Sequence, residues 1–273
     1  MNSNSPIGVF DSGLGGLTVL KALRHLLPNE NIIFVGDSAR APYGSRSPKE
    51  IIDFLQQFMD YFASRDVKMA VCACNTMTSY GYPLLKGKTP FPLVPMNPAI
   101  IPAAKASFNK HIGVIATKAT ITKGMHKTAA AYIDSDIEVY GVACPRFVPL
   151  IESGHIEGAE IEAVVKHYVQ EFAGKNIHSL ILGCTHYPII RKVLAKYFGK
   201  DVALINPAFE TAKDAATILR QHNLLNTQTQ RGSLELRFSA QKPEFADLAK
   251  LVLGSDIPPI ANVDLTKYAT VAK

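Results

Sequence analysis

Met69-Ala70-Val71-Cys72-Ala73-Cys74-Asn75-Thr76 is the stretch on which the fold turns. An apolar run of strand length ends on a cysteine, small hydrogen-bonding residues follow, and a helix-like stretch begins. A continuous apolar run without polar alternation fits a strand buried on both faces, as in a parallel sheet covered by helices. Leu180-Ile181-Leu182-Gly183-Cys184-Thr185-His186 repeats the arrangement in the other half of the chain.

Outward from these two segments the same grammar continues. Apolar runs predict strands at 7–10, 32–35, 67–72, 111–115, 137–142, 179–182 and 202–205. Helical spacing predicts helices at 15–27, 48–64, 99–107, 156–173 and 208–221, the second opened by Ser47-Pro48. Strands alternating with helices predict an α/β fold with mainly parallel sheets. Proline interrupts the pattern twice, around Pro90-Phe91-Pro92, Pro95 and Pro98, and again at Asn206-Pro207. These breaks predict two α/β lobes: residues 1–97 plus 208–273, with 98–207 inserted as a continuous piece.

The 273 residues suffice for one large or two medium domains with a real core. The net charge of +6 is spread along the chain, with no basic run or aromatic-interleaved stripe, so a nucleic-acid partner is not expected. No stretch approaches the ~18 consecutive apolar residues of a membrane span. The polar start Met1-Asn2-Ser3-Asn4-Ser5-Pro6 lacks the features of a signal peptide, which places the protein in the cytoplasm. Four cysteines in such a chain do not form a disulfide framework. Cys72 and Cys144 lie in or beside apolar runs and read as buried small hydrophobes. Cys74 and Cys184 need another explanation.

In parallel sheets, ligands bind beyond the carboxyl ends of strands, where loops lead into helix N-termini. Both cysteines fall there, and the positive end of a helix dipole favours a thiolate. Two thiols at matched positions suggest chemistry on opposite faces of one bound molecule, as inversion of a stereocentre requires. Cys72-x-Cys74 with Cys184-x-His186 also supplies the ligand types of a zinc site. Its single-residue gaps are short for one, and Cys72 should point away from Cys74, so no metal is expected. Asp11-Ser12-Gly13-Leu14-Gly15-Gly16 follows the first strand without forming a Walker loop. Asp11 or Ser12 can cap the next helix and still stand at the mouth of a strand-end site. Gly36 to Gly44 is long for a strand-to-helix turn. Pro42 and Gly44 are either plain turn residues there or part of a functional loop. Glu152 reads first as a satisfied structural carboxylate. His186, two residues past Cys184, can tune that thiol or share its proton.

Together these residues resemble the cofactor-independent glutamate racemases of the aspartate/glutamate racemase family. The matching stretches are Gly8-Val9-Phe10-Asp11-Ser12-Gly13, Gly36-Asp37-Ser38-Ala39-Arg40 through Pro42-Tyr43-Gly44, and Ala73-Cys74-Asn75-Thr76. Ala143-Cys144-Pro145 through Phe147-Val148-Pro149-Leu150-Ile151-Glu152 and Leu182-Gly183-Cys184-Thr185-His186-Tyr187-Pro188 also match, with a looser match from Thr117 to Ile121. The resemblance implies two pseudosymmetric α/β lobes around an active-site cleft. It also implies interconversion of L- and D-glutamate without a cofactor, supplying D-glutamate for peptidoglycan, and a homodimer. By the family pattern Cys74 and Cys184 are the two acid/base residues. Asp11 and His186 assist them, and Glu152 is sometimes given a similar part. Asp11, Ser12, Pro42, Tyr43, Gly44, Asn75, Thr76, Thr117, Thr185 and His186 match positions that hold the substrate. No pyridoxal-type lysine motif is evident. Racemisation of aspartate or another amino acid, and a binding role such as gyrase inhibition, are the alternative readings. The family commonly shows Asp-Ser where this chain has Asn206-Pro207, which puts hinge behaviour in doubt. The chain also begins without the long extension some members use in regulation by a cell-wall precursor, so that regulation is not expected.

Overall fold

The first element is β1 (Ile7–Asp11), followed by α1 (Leu17–Leu26), β2 (Ile32–Gly36), α2 (Pro48–Ser64), β3 (Met69–Cys72), α3 (Asn75–Tyr80), α4 (Tyr82–Leu85) and β4 (Leu93–Val94). Next come α5 (Ile100–Ala106), β5 (His111–Ala116), α6 (Lys118–Lys123), α7 (Met125–Ile133), β6 (Glu138–Ala143), α8 (Phe147–Glu152) and α9 (Ala159–Gln170). β7 (Ser179–Gly183), α10 (Arg191–Phe198), β8 (Ala203–Ile205), α11 (Ala208–Gln221), β9 (Leu234–Phe238), α12 (Phe245–Leu253) and β10 (Ile260–Asn262) complete the chain. This computed structural model describes residues 2–268. Two compact units result, Met1–Met96 with Ala208–Lys273, and Asn97–Pro207.

The first unit holds a six-stranded sheet in the order β10-β9-β2-β1-β3-β4, with every pairing parallel. β1, β2 and β3 are buried along their whole length, so their apolar runs need no polar alternation. Phe10 meets Phe58 and Phe62 of α2 at centroid distances of 4.8 and 5.8 Å, fastening the long helix to the sheet. That helix starts where Ser47-Pro48 predicts it, with a complete capping box between Ser47 and Glu50.

The second unit holds a four-stranded, all-parallel sheet in the order β6-β5-β7-β8. Its interior strand β7 is buried throughout, whereas the edge strand β6 is half open. Phe147, Ile151, Val165, Leu182 and Tyr187 pack one face of this sheet, and Ile100, Val114, Ala130 and Ile181 the other.

Several expectations shift in detail. The proline-rich break is not a bare connection, because it carries β4, paired in parallel with β3. The helix expected over 15–27 begins at Leu17, after a turn in which Gly15 and Gly16 donate no side chain to pack. α1 has no side-chain cap of its own, so neither Asp11 nor Ser12 is its N-cap residue. Asp11 instead reaches the turn from the strand end: its Oδ2 accepts the Gly16 amide at 2.5 Å. A methyl group on Gly16 would lie 2.6 Å from the Asp11 Cβ, so the contact requires glycine. Among the described residues no helix is long and apolar enough to cross a membrane.

Candidate active site

Register brings Asp11 at the end of β1 beside Gly36 at the end of β2, and Phe10 beside Cys72 at the end of β3. The strand ends of the first sheet therefore gather the residues that follow them. Cys74 caps α3 in extended conformation, two residues beyond β3. Its thiol donates to Ser12 Oγ at 3.8 Å, and the Ser12 hydroxyl donates to Asp11 Oδ1 at 3.5 Å. Cys74, Ser12 and Asp11 are all buried. A thiol, a hydroxyl relay and a buried carboxylate thus line up at one strand end.

The second sheet presents the same logic with different residues. Cys184 directly follows β7, and its Sγ lies 3.8 Å from His186 Nδ1. His186 Nε2 lies 3.1 Å from Glu152 Oε1 at the C-terminal end of α8. All three residues are buried. Burial works against a charged imidazole here. The hydrogen bonds and negative charge of Cys184 and Glu152 outweigh it, holding His186 well above the usual histidine range. Glu152 is thus a satisfied carboxylate, as its sequence setting suggests, and the partner that satisfies it is His186.

The two thiols differ in one respect from their matched sequence setting. Cys74 precedes an α-helix, but only a six-residue one, whose dipole is correspondingly short. Cys184 is followed by Thr185 and His186 and then by a 3-10 turn, Tyr187–Ile190, before α10. Near Cys184 an imidazole and a carboxylate stand where a helix end was expected.

The remaining expected residues fall into distinct settings. Asn75, the first residue of α3, is buried, and neither its side-chain nitrogen nor its oxygen has a protein partner. A buried amide without partners costs free energy unless a ligand or water satisfies it. Thr76 and Thr185 are buried beside their respective cysteines. Tyr43 is buried, Gly44 is half-buried and Pro42 is exposed. The Tyr43 hydroxyl donates to Asp37, and burial, reinforced by the Asp37 charge, keeps it protonated. Thr117 caps α6 by accepting the Thr120 amide at 3.3 Å, and its hydroxyl donates to Thr120 Oγ1 at 3.0 Å.

Asp37 is the centre that sequence reasoning left without a role. It is fully buried, pairs with Arg40 Nε at 2.5 Å, and accepts Ser239 Oγ at 2.7 Å as well as the Tyr43 hydroxyl. Its position just past β2, next to Asp11, is the signal that could have singled it out. Cys72 and Cys144 are buried, as their apolar surroundings predict. Among the described residues no group of three or more His, Cys, Asp or Glu side chains could hold a metal ion.

The family profile described as Asp/Glu/Hydantoin racemase matches residues 7–215. The glutamate racemase of Thermoanaerobacter pseudethanolicus is 40% identical over 266 residues, which is 96% of this chain and 98% of that protein. Among solved structures, glutamate racemase from Francisella tularensis in complex with D-glutamate is 36% identical with a TM-score of 0.88. That likeness covers 97% of this chain and all of the other. Glutamate racemase from Thermus thermophilus in complex with beta-chloro-D-alanine is 34% identical with a TM-score of 0.83, over 98% of this chain and all of the other. On the profile match and on these identities over nearly its whole length, the chain belongs to the Asp/Glu/Hydantoin racemase family.

Proposed function

We propose that this chain interconverts L- and D-glutamate in the cytoplasm by proton transfer at Cα, supplying D-glutamate for peptidoglycan. One observation carries the reading: each sheet ends an interior strand on a buried thiol backed by its own relay and carboxylate, Cys74–Ser12–Asp11 and Cys184–His186–Glu152. Inversion at a carbon needs one base and one acid acting on opposite faces, and two such assemblies provide both. The relatives' names point to glutamate as the substrate.

In this mechanism one cysteine, as thiolate, takes the α-proton while the other, as thiol, delivers a proton to the opposite face. The roles exchange for the other enantiomer. An α-proton beside a carboxylate is very weakly acidic, so the developing charge requires fixed donors in a site shielded from water. The partnerless Asn75 amide suits that task, offering both donor and acceptor to the amino-acid end of the substrate. Ser12, Tyr43, Gly44, Thr76, Thr117 and Thr185 are further substrate contacts in this reading, with Pro42 shaping the loop. His186, whose protonated form Cys184 and Glu152 favour, stands where it can share a proton with the Cys184 sulfur.

The test is direct. L-glutamate and D-glutamate, supplied separately with no added cofactor, should converge on equal amounts of the two, because enantiomers have equal free energy. Chiral chromatography follows the approach, with L- and D-aspartate as the comparison. Unchanged glutamate alongside converted aspartate would overturn the substrate assignment. Sedimentation of the same preparation checks the homodimer that the resemblance implies.

Glu152→Gln removes the carboxylate but keeps the size of the side chain. His186 should then titrate at lower pH, because burial persists while a favourable charge is gone. A hydrogen bond to a charged group is worth roughly 1.5–3 kcal/mol, so kcat should fall about 10–100-fold. Imidazole resonances followed by NMR across the titration, together with kcat, check both. An unmoved midpoint would remove Glu152 from the mechanism.

A further inference from the structure

Behind Cys74 lies a chain of polar contacts made by residues outside the site described above. Thr78 occupies the second turn of α3 and is buried. Its hydroxyl accepts the Met96 amide at 3.0 Å and donates to Cys72 Sγ at 3.5 Å. The Cys72 thiol in turn donates to the Cys74 carbonyl at 3.5 Å. The same carbonyl accepts the Thr78 amide at 2.9 Å. The Thr78 hydroxyl and the Cys72 thiol each take one hydrogen bond and give another, so the chain has a single consistent direction from Met96 to Cys74.

We propose that Thr78 is a positioning residue for the Cys74 thiol, acting through Cys72 and the Cys74 carbonyl. The proposal rests on the reading of Cys74 as an acid/base group. Cys74 stands in extended conformation with φ −144° and ψ 116°, between a strand end and a helix. Its carbonyl is held twice, once by the Thr78 amide and once by the Cys72 thiol that the Thr78 hydroxyl orients. Fixing that carbonyl fixes the peptide plane after Cys74, and with it the direction in which Cα–Cβ carries the sulfur. Burial pushes the Cys72 thiol up to about 12, so it remains an S–H donor throughout the range in which Cys74 would work. The far end is anchored too. Met96 follows β4 and is the last residue of its unit's first segment, and its Sδ accepts the Thr211 hydroxyl of α11 at 3.8 Å. A thiol working on a carbon acid must lie within roughly 3–3.5 Å of its target, and a ~1 Å error there costs on the order of 100-fold in rate.

Thr78→Val keeps the shape and removes the hydroxyl, while Thr78→Ser keeps the hydroxyl. Both are tested in the full chain by two readouts. The first is the pH profile of alkylation of Cys74 by iodoacetamide, with Cys184 as the internal reference, read by peptide mass spectrometry; it needs no substrate. The second is steady-state racemisation. Thr78→Val should displace the Cys74 alkylation profile and leave that of Cys184 in place. It should lower kcat roughly 10–100-fold with KM within about threefold, and Thr78→Ser should restore both. A folded Thr78→Val with unchanged Cys74 reactivity and kcat overturns the proposal, and so does a Thr78→Ser as impaired as the valine variant. Should Thr78→Val fail to fold, Cys72→Ala removes the middle link, and an unaltered Cys74 profile in that variant overturns the proposal equally. If the wild type does not racemise glutamate, the functional reading fails, and the alkylation readout alone decides the role of Thr78.

Discussion

Cys74→Ser and Cys184→Ser are each expected to lower glutamate racemisation by roughly 10³-fold while sparing one half of the chemistry. A hydroxyl is a far poorer base than a thiolate at neutral pH, so each variant loses proton transfer on one face of Cα. The other face keeps its thiol. In deuterated water each variant should still exchange the α-hydrogen of one enantiomer with retention, and the two variants should choose opposite enantiomers. Proton NMR of recovered L- and D-glutamate reads this without any need for net inversion. Near-normal inversion in both variants, or exchange of both enantiomers by either one, would end the two-base reading. Cys144→Ala is the control. Its thiol donates to the Val142 carbonyl at 3.7 Å, and burial, with the Cys184 charge adding to it, pushes it up, so it takes no part in proton transfer. Because the reaction needs one thiolate and one thiol together, the wild-type rate should follow a bell-shaped pH profile belonging to the pair.

The strands that fix this geometry were legible because a parallel sheet covered on both faces writes itself as uninterrupted apolar runs. β1, β2, β3 and β7 are of that kind. β9 escaped because only alternate residues turn inward there. Leu234, Leu236 and Phe238 do show a period of two, but within a polar stretch and next to β2, some 200 residues distant in sequence. Helices α6 and α7 were hidden for another reason: Gly124, in left-handed conformation, ends one and opens the next. At the site, Cys74 and Cys184 stood out by position, since strand ends are local features. His186, Asp11 and Ser12 did so as well, but the link from His186 to Glu152 did not. His186 and Glu152 lie 34 residues apart, and only packing of α8 beside β7 brings them within 3.1 Å. Asp37 takes Arg40 and Tyr43 from its own loop, but Ser239 reaches it from 202 residues away, a contact with no local spelling.

Lys68→Met is expected to destabilise the first unit by about 3–5 kcal/mol, the cost of leaving a buried charge without its partner. Lys68 is 0% and Glu30 3% exposed, and their charged atoms are 2.5 Å apart. The ammonium also donates to the carbonyls of Ser3 and, at 2.8 Å, Leu224, while Glu30 accepts the Asn226 amide at 2.8 Å. This unit is assembled from two separated lengths of chain, and the pair ties the start of the first to the loop after α11 in the second. Burial lowers the affinity of Lys68 for its proton and Glu30 counters that, so each charge depends on the other. In Lys68→Met the Glu30 carboxylate is left buried without its cation. Urea unfolding at pH 7 measures the loss, and Lys68→Met with Glu30→Gln should recover a large part, because no buried charge remains. Recovery should stay incomplete, since the Ser3 and Leu224 carbonyls still lack their donor. A Lys68→Met protein with an unchanged urea midpoint at pH 7 would show that water reaches Glu30, and that the two chain segments hold together without the pair.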